Sequence, residues 1–116
     1  MNQLTSIFKI LSDENRLRMI VLLYQEELCV CELSGILEIP QPRISQNLSK
    51  LRDLNLVNDE RKDKFVFYSL RRDNKILTDV LENIMEDFES YPQLIVDKDR
   101  LKDKEKYLNQ CCPSND

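Results

Sequence analysis

A chain of 116 residues, 41% hydrophobic and 33% charged, supports a single small globular domain and is too apolar to be disordered. One glycine and four prolines argue against a turn-rich β architecture, and no apolar run approaches the roughly 18 residues of a membrane span. The net charge of −4 speaks against a nucleic-acid binder only if it is evenly spread, and it is not.

The first elements read as helices. Leu4, Ile7, Phe8 and Leu11 follow the i, i+3, i+4, i+7 stripe and predict an inward face. Ser12-Asp13-Glu14 stops that helix and caps the next. Leu17, Ile20, Leu23 and Tyr24 carry a second helix to about Glu26, widened by Val21 and Leu22 into a core element. A short third helix spans 30–38, with Leu33, Ile36 and Leu37 inward. The turn Ile39-Pro40-Gln41-Pro42 follows, and Pro42 suits the first position of a fourth helix that runs to about Leu54. Two short helices joined by such a turn form a helix-turn-helix. Residues 56–61 and the aromatic, β-branched run 65–70 predict a two-stranded hairpin tipped by Lys62-Asp63-Lys64, the wing of a winged helix. Ile76, Leu77, Val80, Leu81, Ile84, Met85 and Phe88 form a stripe broader than a small domain needs, ended by Pro92, and a dimer interface is the natural use of the excess. Residues 97–110 alternate in charge and predict a solvated helix or a loose tail. The expected fold is therefore mainly α, a winged helix-turn-helix of about five helices and a two-stranded wing, forming a homodimer. Residues 1–92 make up the DNA-binding and dimerisation domain, and 93–116 a charged C-terminal tail with vicinal cysteines.

Charge follows this division. Residues 1–39 carry net −3 and residues 73–116 net −5, but residues 40–72 hold eight basic against four acidic side chains, net +4. Local phosphate neutralisation, not whole-chain charge, governs nucleic-acid affinity. With Ile44, Leu48 and Leu51 turned in, the fourth helix offers Gln41, Arg43, Ser45, Gln46 and Asn47 to base edges, where Arg matches guanine and Gln or Asn matches adenine. Ser49, Lys50, Arg61, Lys62 and Lys64 are suited to phosphates. A polar helix face is also what ordinary solvation produces. It is the hairpin beside it that turns the reading toward double-stranded operator DNA.

The four cysteines are Cys29, Cys31, Cys111 and Cys112, and there is no histidine. The opening Met1-Asn2-Gln3-Leu4 lacks the basic start of a secretory signal, so a cytoplasmic, membrane-independent protein with reduced thiols is expected. Cys29 and Cys31, one residue apart, can chelate a soft cation. At the start of the third helix the dipole would lower their pKa values. On a regular helix residues i and i+2 point about 200° apart. Two sulfurs on one ion stand within about 4.6 Å if each bond is near ~2.3 Å, so the first turn would have to unwind. A Cys-x-Cys is equally what two packed core cysteines look like. Cys111 and Cys112 are further candidate ligands, or an incidental tail. Without histidine or a glycine-rich loop, neither a His-based triad, a zinc-water site nor a phosphate cradle can be built, and no enzyme is expected.

Four stretches together carry a resemblance: Phe8-Lys9-Ile10-Leu11-Ser12-Asp13-Glu14-Asn15-Arg16-Leu17, Glu27-Leu28-Cys29-Val30-Cys31-Glu32-Leu33, the run from Gln41 to Arg52, and the wing strand ending Tyr68-Ser69-Leu70. In these the chain resembles the ArsR/SmtB family of metalloregulatory repressors. The resemblance implies a homodimer paired through its first and last helices. It also implies repression of a metalloid-resistance operon, relieved by As(III) or Sb(III), with no cofactor needed for DNA binding. Cys29 and Cys31 match two arsenic-binding cysteines of the family; Ser34 stands where the third would be. Asn47 stands where the family often has His. Zinc and nickel sensors use histidines on the last helix, which this chain lacks. Cadmium and lead sensors add cysteines near the N-terminus, and none precedes Cys29. The rival readings are the same fold sensing Cd, Pb or thiol oxidation, and a thiol metal-buffering protein with no DNA role.

Overall fold

Asp13 divides the first two helices. Its carboxylate accepts a hydrogen bond from the Arg16 backbone N–H at 3.0 Å and caps α2 (Glu14–Gln25) just after α1 (Asn2–Leu11) ends. The computed structural model describes residues 2–109. Five consecutive residues of α2, Met19 to Leu23, are buried, so this helix is covered on every side and forms the centre of the core. On α1 the stripe holds for Ile7, with Leu4 and Leu11 half-buried, but not for Phe8, which is 52% exposed; Ile10, outside the expected stripe, is buried in its stead. Spacing alone orients a face relative to its own helix, and nothing among the described residues buries Phe8.

Between α2 and α3 (Val30–Leu37) runs a strand that the sequence reading lacks, β1 (Leu28–Cys29). The wing is therefore a three-stranded antiparallel sheet in the order β1-β3-β2, with β2 at Val57–Lys62 and β3 at Phe65–Leu70. Leu28 stands opposite Tyr68 and Cys29 opposite Phe67. A two-residue strand shows no alternation in sequence; it forms because it pairs an otherwise open edge of β3. At the wing tip Lys62 stands opposite Phe65, and Asp63 turns the chain at φ 61°, a left-handed conformation that aspartate tolerates.

The helix-turn-helix forms as expected. After α3 the chain reverses at Glu38 (φ 58°), and α4 (Gln41–Asp53) follows with Pro42 in its first turn. Ile44, Leu48 and Leu51 seat α4 on the core, alongside Leu33, Ile36, Leu56 and Leu70. Burial of such side chains contributes about 1.5–3 kcal/mol each.

The C-terminal part departs most from expectation. Among the described residues there are seven α-helices where about five are expected. α5 (Lys75–Glu86), capped by Asn74, buries Leu77 and Leu81, while Ile76 is exposed. Pro92 does not end this helix. A 3₁₀ turn, Phe88–Ser90, intervenes, and Pro92 opens α6 (Pro92–Arg100), where a missing N–H costs nothing. After a second 3₁₀ turn, Leu101–Asp103, α7 (Lys104–Asn109) packs along α3. The charge alternation that predicts a solvated segment hides an anchor: Asp97 is 1% exposed. The Arg18 guanidinium on α2 grips its carboxylate with two hydrogen bonds of 2.9 Å, and Gln93 adds a third at 3.0 Å. Among the described residues no helix is long and apolar enough to cross a membrane.

Candidate thiol site and nucleic-acid interface

Cys29 is not inside a helix. It closes β1 and serves as the N-cap of α3, with φ −96° and ψ 173°, while Cys31 lies in the first helical turn. The regular-helix separation of the two cysteines therefore does not apply, because Cys29 lies outside the helix, in the sheet. A buried carboxylate holds this junction. Glu32 accepts the Cys29 backbone N–H at 3.0 Å, and the Cys29 side chain in turn faces the Glu32 N–H, a capping box with cysteine in the place of serine. The spacing Cys29-Val30-Cys31-Glu32 carries that signal, but a cysteine cap is rare enough to pass unread.

Both cysteines are buried; Cys29 is a free thiol, whereas Cys31 is disulfide-bonded, against the expectation that both are reduced. Burial pushes the Cys29 thiol up to about 11, outweighing the backbone hydrogen bonds that lower it. The expected acidification by the helix dipole is overturned, and Cys29 is a neutral thiol at pH 7. Glu32 is also raised, chiefly by burial, against the hydrogen bond from Cys29 and the charge of Lys104. Lys104 brings α7 into this neighbourhood and pairs with Glu26 at 3.0 Å.

A cavity of about 210 Å³ opens between the Cys29–Cys31 segment, the start of α4 and the wing. Cys29, Cys31, Gln41, Ser45, Arg61 and Lys64 all line it. Two cysteines, two polar residues of α4 and two basic residues of the wing, separate in sequence, thus share one space. The Gln41 side-chain amide donates to Cys31 Sγ at 3.8 Å, and Ser34 Oγ donates to the Ile39 carbonyl at 2.6 Å. Where the family resemblance points to a missing cysteine, Ser34 ties α3 to the turn before α4.

On α4, Arg43, Ser45, Gln46, Ser49 and Lys50 are exposed. Asn47 is not: at 7% exposure it belongs to the buried side, one residue before Leu48. Its expected place on the reading face is corrected, since the width of the buried stripe depends on the helices behind it. On the wing, Lys62 is bound to Glu27 and lies 3.7 Å from Glu60, which raises its pKa through the Glu27 hydrogen bond first. Lys62 stacks over Phe67 at 5.6 Å and Lys64 over Phe65 at 5.9 Å, so aromatic rings hold the wing cations in place. Cys111 and Cys112 lie outside the described residues. Among the described residues no three Cys, Asp or Glu side chains come together as a metal cluster.

A helix-turn-helix flanked by a three-stranded wing, with Cys29 and Cys31 where the wing meets α3, defines a winged helix-turn-helix protein. Residues 13–59 match the family model for bacterial regulatory proteins of the arsR family. The arsenic resistance transcriptional regulator ArsR1 of Pseudomonas putida is 48% identical over 65 residues, 55% of this chain and 51% of that protein. The arsenical resistance operon repressor of Staphylococcus aureus is 35% identical over 82 residues, 71% of this chain and 77% of that one. The cadmium resistance regulatory protein CadC of Listeria innocua is 37% identical over 68 residues, 58% of this chain and 57% of that protein. Among solved structures, reduced HlyU from Vibrio cholerae superposes with a TM-score of 0.67 at 32% identity, covering 73% of this chain and 87% of that one. The chain belongs to the ArsR family of bacterial regulatory proteins. It spans about half the length of the first curated relatives it matches.

Proposed function

We propose that this protein is a cytoplasmic, homodimeric transcriptional repressor that leaves its operator when As(III) or Sb(III) binds Cys29 and Cys31. One observation carries the reading: the cavity lined at once by both cysteines, by Gln41 and Ser45 of α4, and by Arg61 and Lys64 of the wing. With Cys31 reduced, a ligand bridging the two sulfurs acts on both elements proposed to contact DNA, because Cys29 is paired to wing strand β3 and Cys31 adjoins Gln41. Soft thiolate donors suit a thiophilic metalloid. Each thiol that replaces a hydroxide of arsenous acid forms an As–S bond, breaks an As–O bond and releases its proton with the hydroxide as water.

Arg43, Ser45, Gln46 and, at the helix start, Gln41 contact bases; Ser49, Lys50, Arg61, Lys62 and Lys64 contact phosphates. The exposed Phe8 and Ile76 on α1 and α5 support pairing with a second copy, which sets two reading helices about one DNA turn apart. Cys111 and Cys112 are proposed as further donors. The docking of α7 supports this, because Tyr107 stands against Gly35, and Gly35 is one helical turn, about 6 Å, from Cys31. The similarity to CadC favours cadmium as the second candidate inducer.

The test is fluorescence anisotropy on duplex DNA from upstream of the protein's own gene, titrated with arsenite under reducing conditions. Release of wild type, with Cys29→Ser/Cys31→Ser remaining bound, is the expected result. Release of both shifts the sensing site to Cys111 and Cys112. Release of wild type by cadmium or an oxidant and not by arsenite replaces the inducer, and failure to bind the DNA removes the repressor reading.

A further inference from the structure

The basic residues of the wing tip are not equivalent. Arg61 and Lys64 line the cavity, and neither forms an ion pair among the described residues. Lys62 is engaged on several sides. In the hairpin it stands opposite Phe65, yet its ammonium lies 5.6 Å from the ring centre of Phe67, two residues further from the tip. There it is bound to the Glu27 carboxylate and lies 3.7 Å from that of Glu60. Glu27 is the residue just before β1, and Leu28 beside it stands opposite Tyr68, so the Lys62 side chain is folded back along the sheet and away from the tip.

We propose that Glu27 is an internal competitor of DNA: its carboxylate occupies Lys62 in the free protein, a backbone phosphate takes its place on the duplex, and this exchange lowers affinity for DNA of any sequence. The proposal rests on the wing lying against DNA, as in the function proposed above. A carboxylate and a phosphate ester are both anionic oxygen acceptors, and the lysine ammonium is a point charge on a flexible stem that can swing from one to the other. The side chains of Lys62 and Glu27 are 48% and 37% exposed, so the pair is reached by water and salt, is weak, and opens readily. Its cost is still felt at the duplex. A cation already neutralised by its own chain contributes less to displacing the counterions of DNA. Phosphate contacts carry no sequence information, so the competitor tempers binding to every duplex alike and leaves preference among sequences to α4.

The experiment is a double-mutant cycle. Wild type, Glu27→Gln, Lys62→Ala and Glu27→Gln/Lys62→Ala are titrated by fluorescence anisotropy over a series of salt concentrations. Two duplexes of equal length are used, one from upstream of the protein's own gene and one of scrambled sequence. Glu27→Gln removes the charge and keeps the shape of the side chain. It should tighten binding to both duplexes by about 2- to 5-fold, the range of an exposed ion pair. It should also steepen the dependence of log affinity on log salt by up to about 0.9. In the Lys62→Ala background the same substitution should give neither gain, because the carboxylate then has no cation to withhold. Equal tightening with and without Lys62 would mean that Glu27 repels DNA directly, and the competition is overturned. Unchanged affinity for Glu27→Gln overturns it as well, and weaker binding would make Glu27 the group that presents Lys62 to the backbone. If wild type binds neither duplex, the repressor reading falls and the competition with it.

Discussion

The ring of Tyr107 occupies the space that a side chain at Gly35 would need: a Cβ there would lie 2.2 Å from Tyr107 Cδ1 and 2.3 Å from Cγ. Gly35 is the only glycine in the chain, and it sits inside α3. Alanine there would favour the helix by about 1 kcal/mol, but a contact under 3 Å forces one partner to move. The six-residue α7 gives way more easily than α3, whose Leu33, Ile36 and Leu37 are locked in the core. Gly35→Ala should therefore free α7, with amide hydrogen exchange accelerated at 104–109 and protection in α2–α4 kept. Unchanged exchange at 104–109 would show that the Tyr107 contact does not hold this helix.

The Arg18–Asp97 pair anchors α6 to α2. With the Asp97 side chain 2% exposed, removing Arg18 would leave a buried carboxylate with only Gln93 to satisfy it. Breaking a buried pair costs about 3–5 kcal/mol, whereas replacing both partners by apolar residues of similar size is often near neutral. Arg18→Met should lower stability by about 3 kcal/mol in urea unfolding, and Arg18→Met/Asp97→Leu should recover most of that loss. Equal destabilisation by the single and double variants would mean that packing, not charge pairing, holds α6.

Arg43 and Asn47 separate reading from support. Arg43 is exposed on α4 and Asn47 is buried. Arg43→Ala should cost about 1–3 kcal/mol of operator affinity and relax preference at one base pair. Asn47→Ala should lower thermal stability and leave the order of preference among operator variants unchanged. Binding measured over a set of single-base operator variants, beside a melting curve, decides both. A changed base preference for Asn47→Ala would return that residue to the reading face.

The extents of α1 to α4, the presence of α5, the helix-turn-helix, the β2–β3 hairpin, the Cys29–Cys31 spacing and the basic segment are all legible in the sequence, because each is written locally. Helical stripes, Asp13 and Pro42 at helix starts, and the run Phe65 to Leu70 are signals within a few residues of where they act. What local pattern cannot decide is what lies on the far side of a residue. Phe8 and Asn47 exchange their expected exposure because burial depends on neighbours from other elements. Asp97 is buried because Arg18, 79 positions away, reaches it. β1 exists only because β3 offers an edge, and that pairing keeps Cys29 out of the helix, where burial raises its thiol and reverses its expected acidity. The residue types that could sense and read are set by composition and spacing. That Cys29 and Cys31 share one cavity with Gln41, Ser45, Arg61 and Lys64 is decided by tertiary packing, since strand pairing and helix docking bring together groups between 10 and more than 30 positions apart.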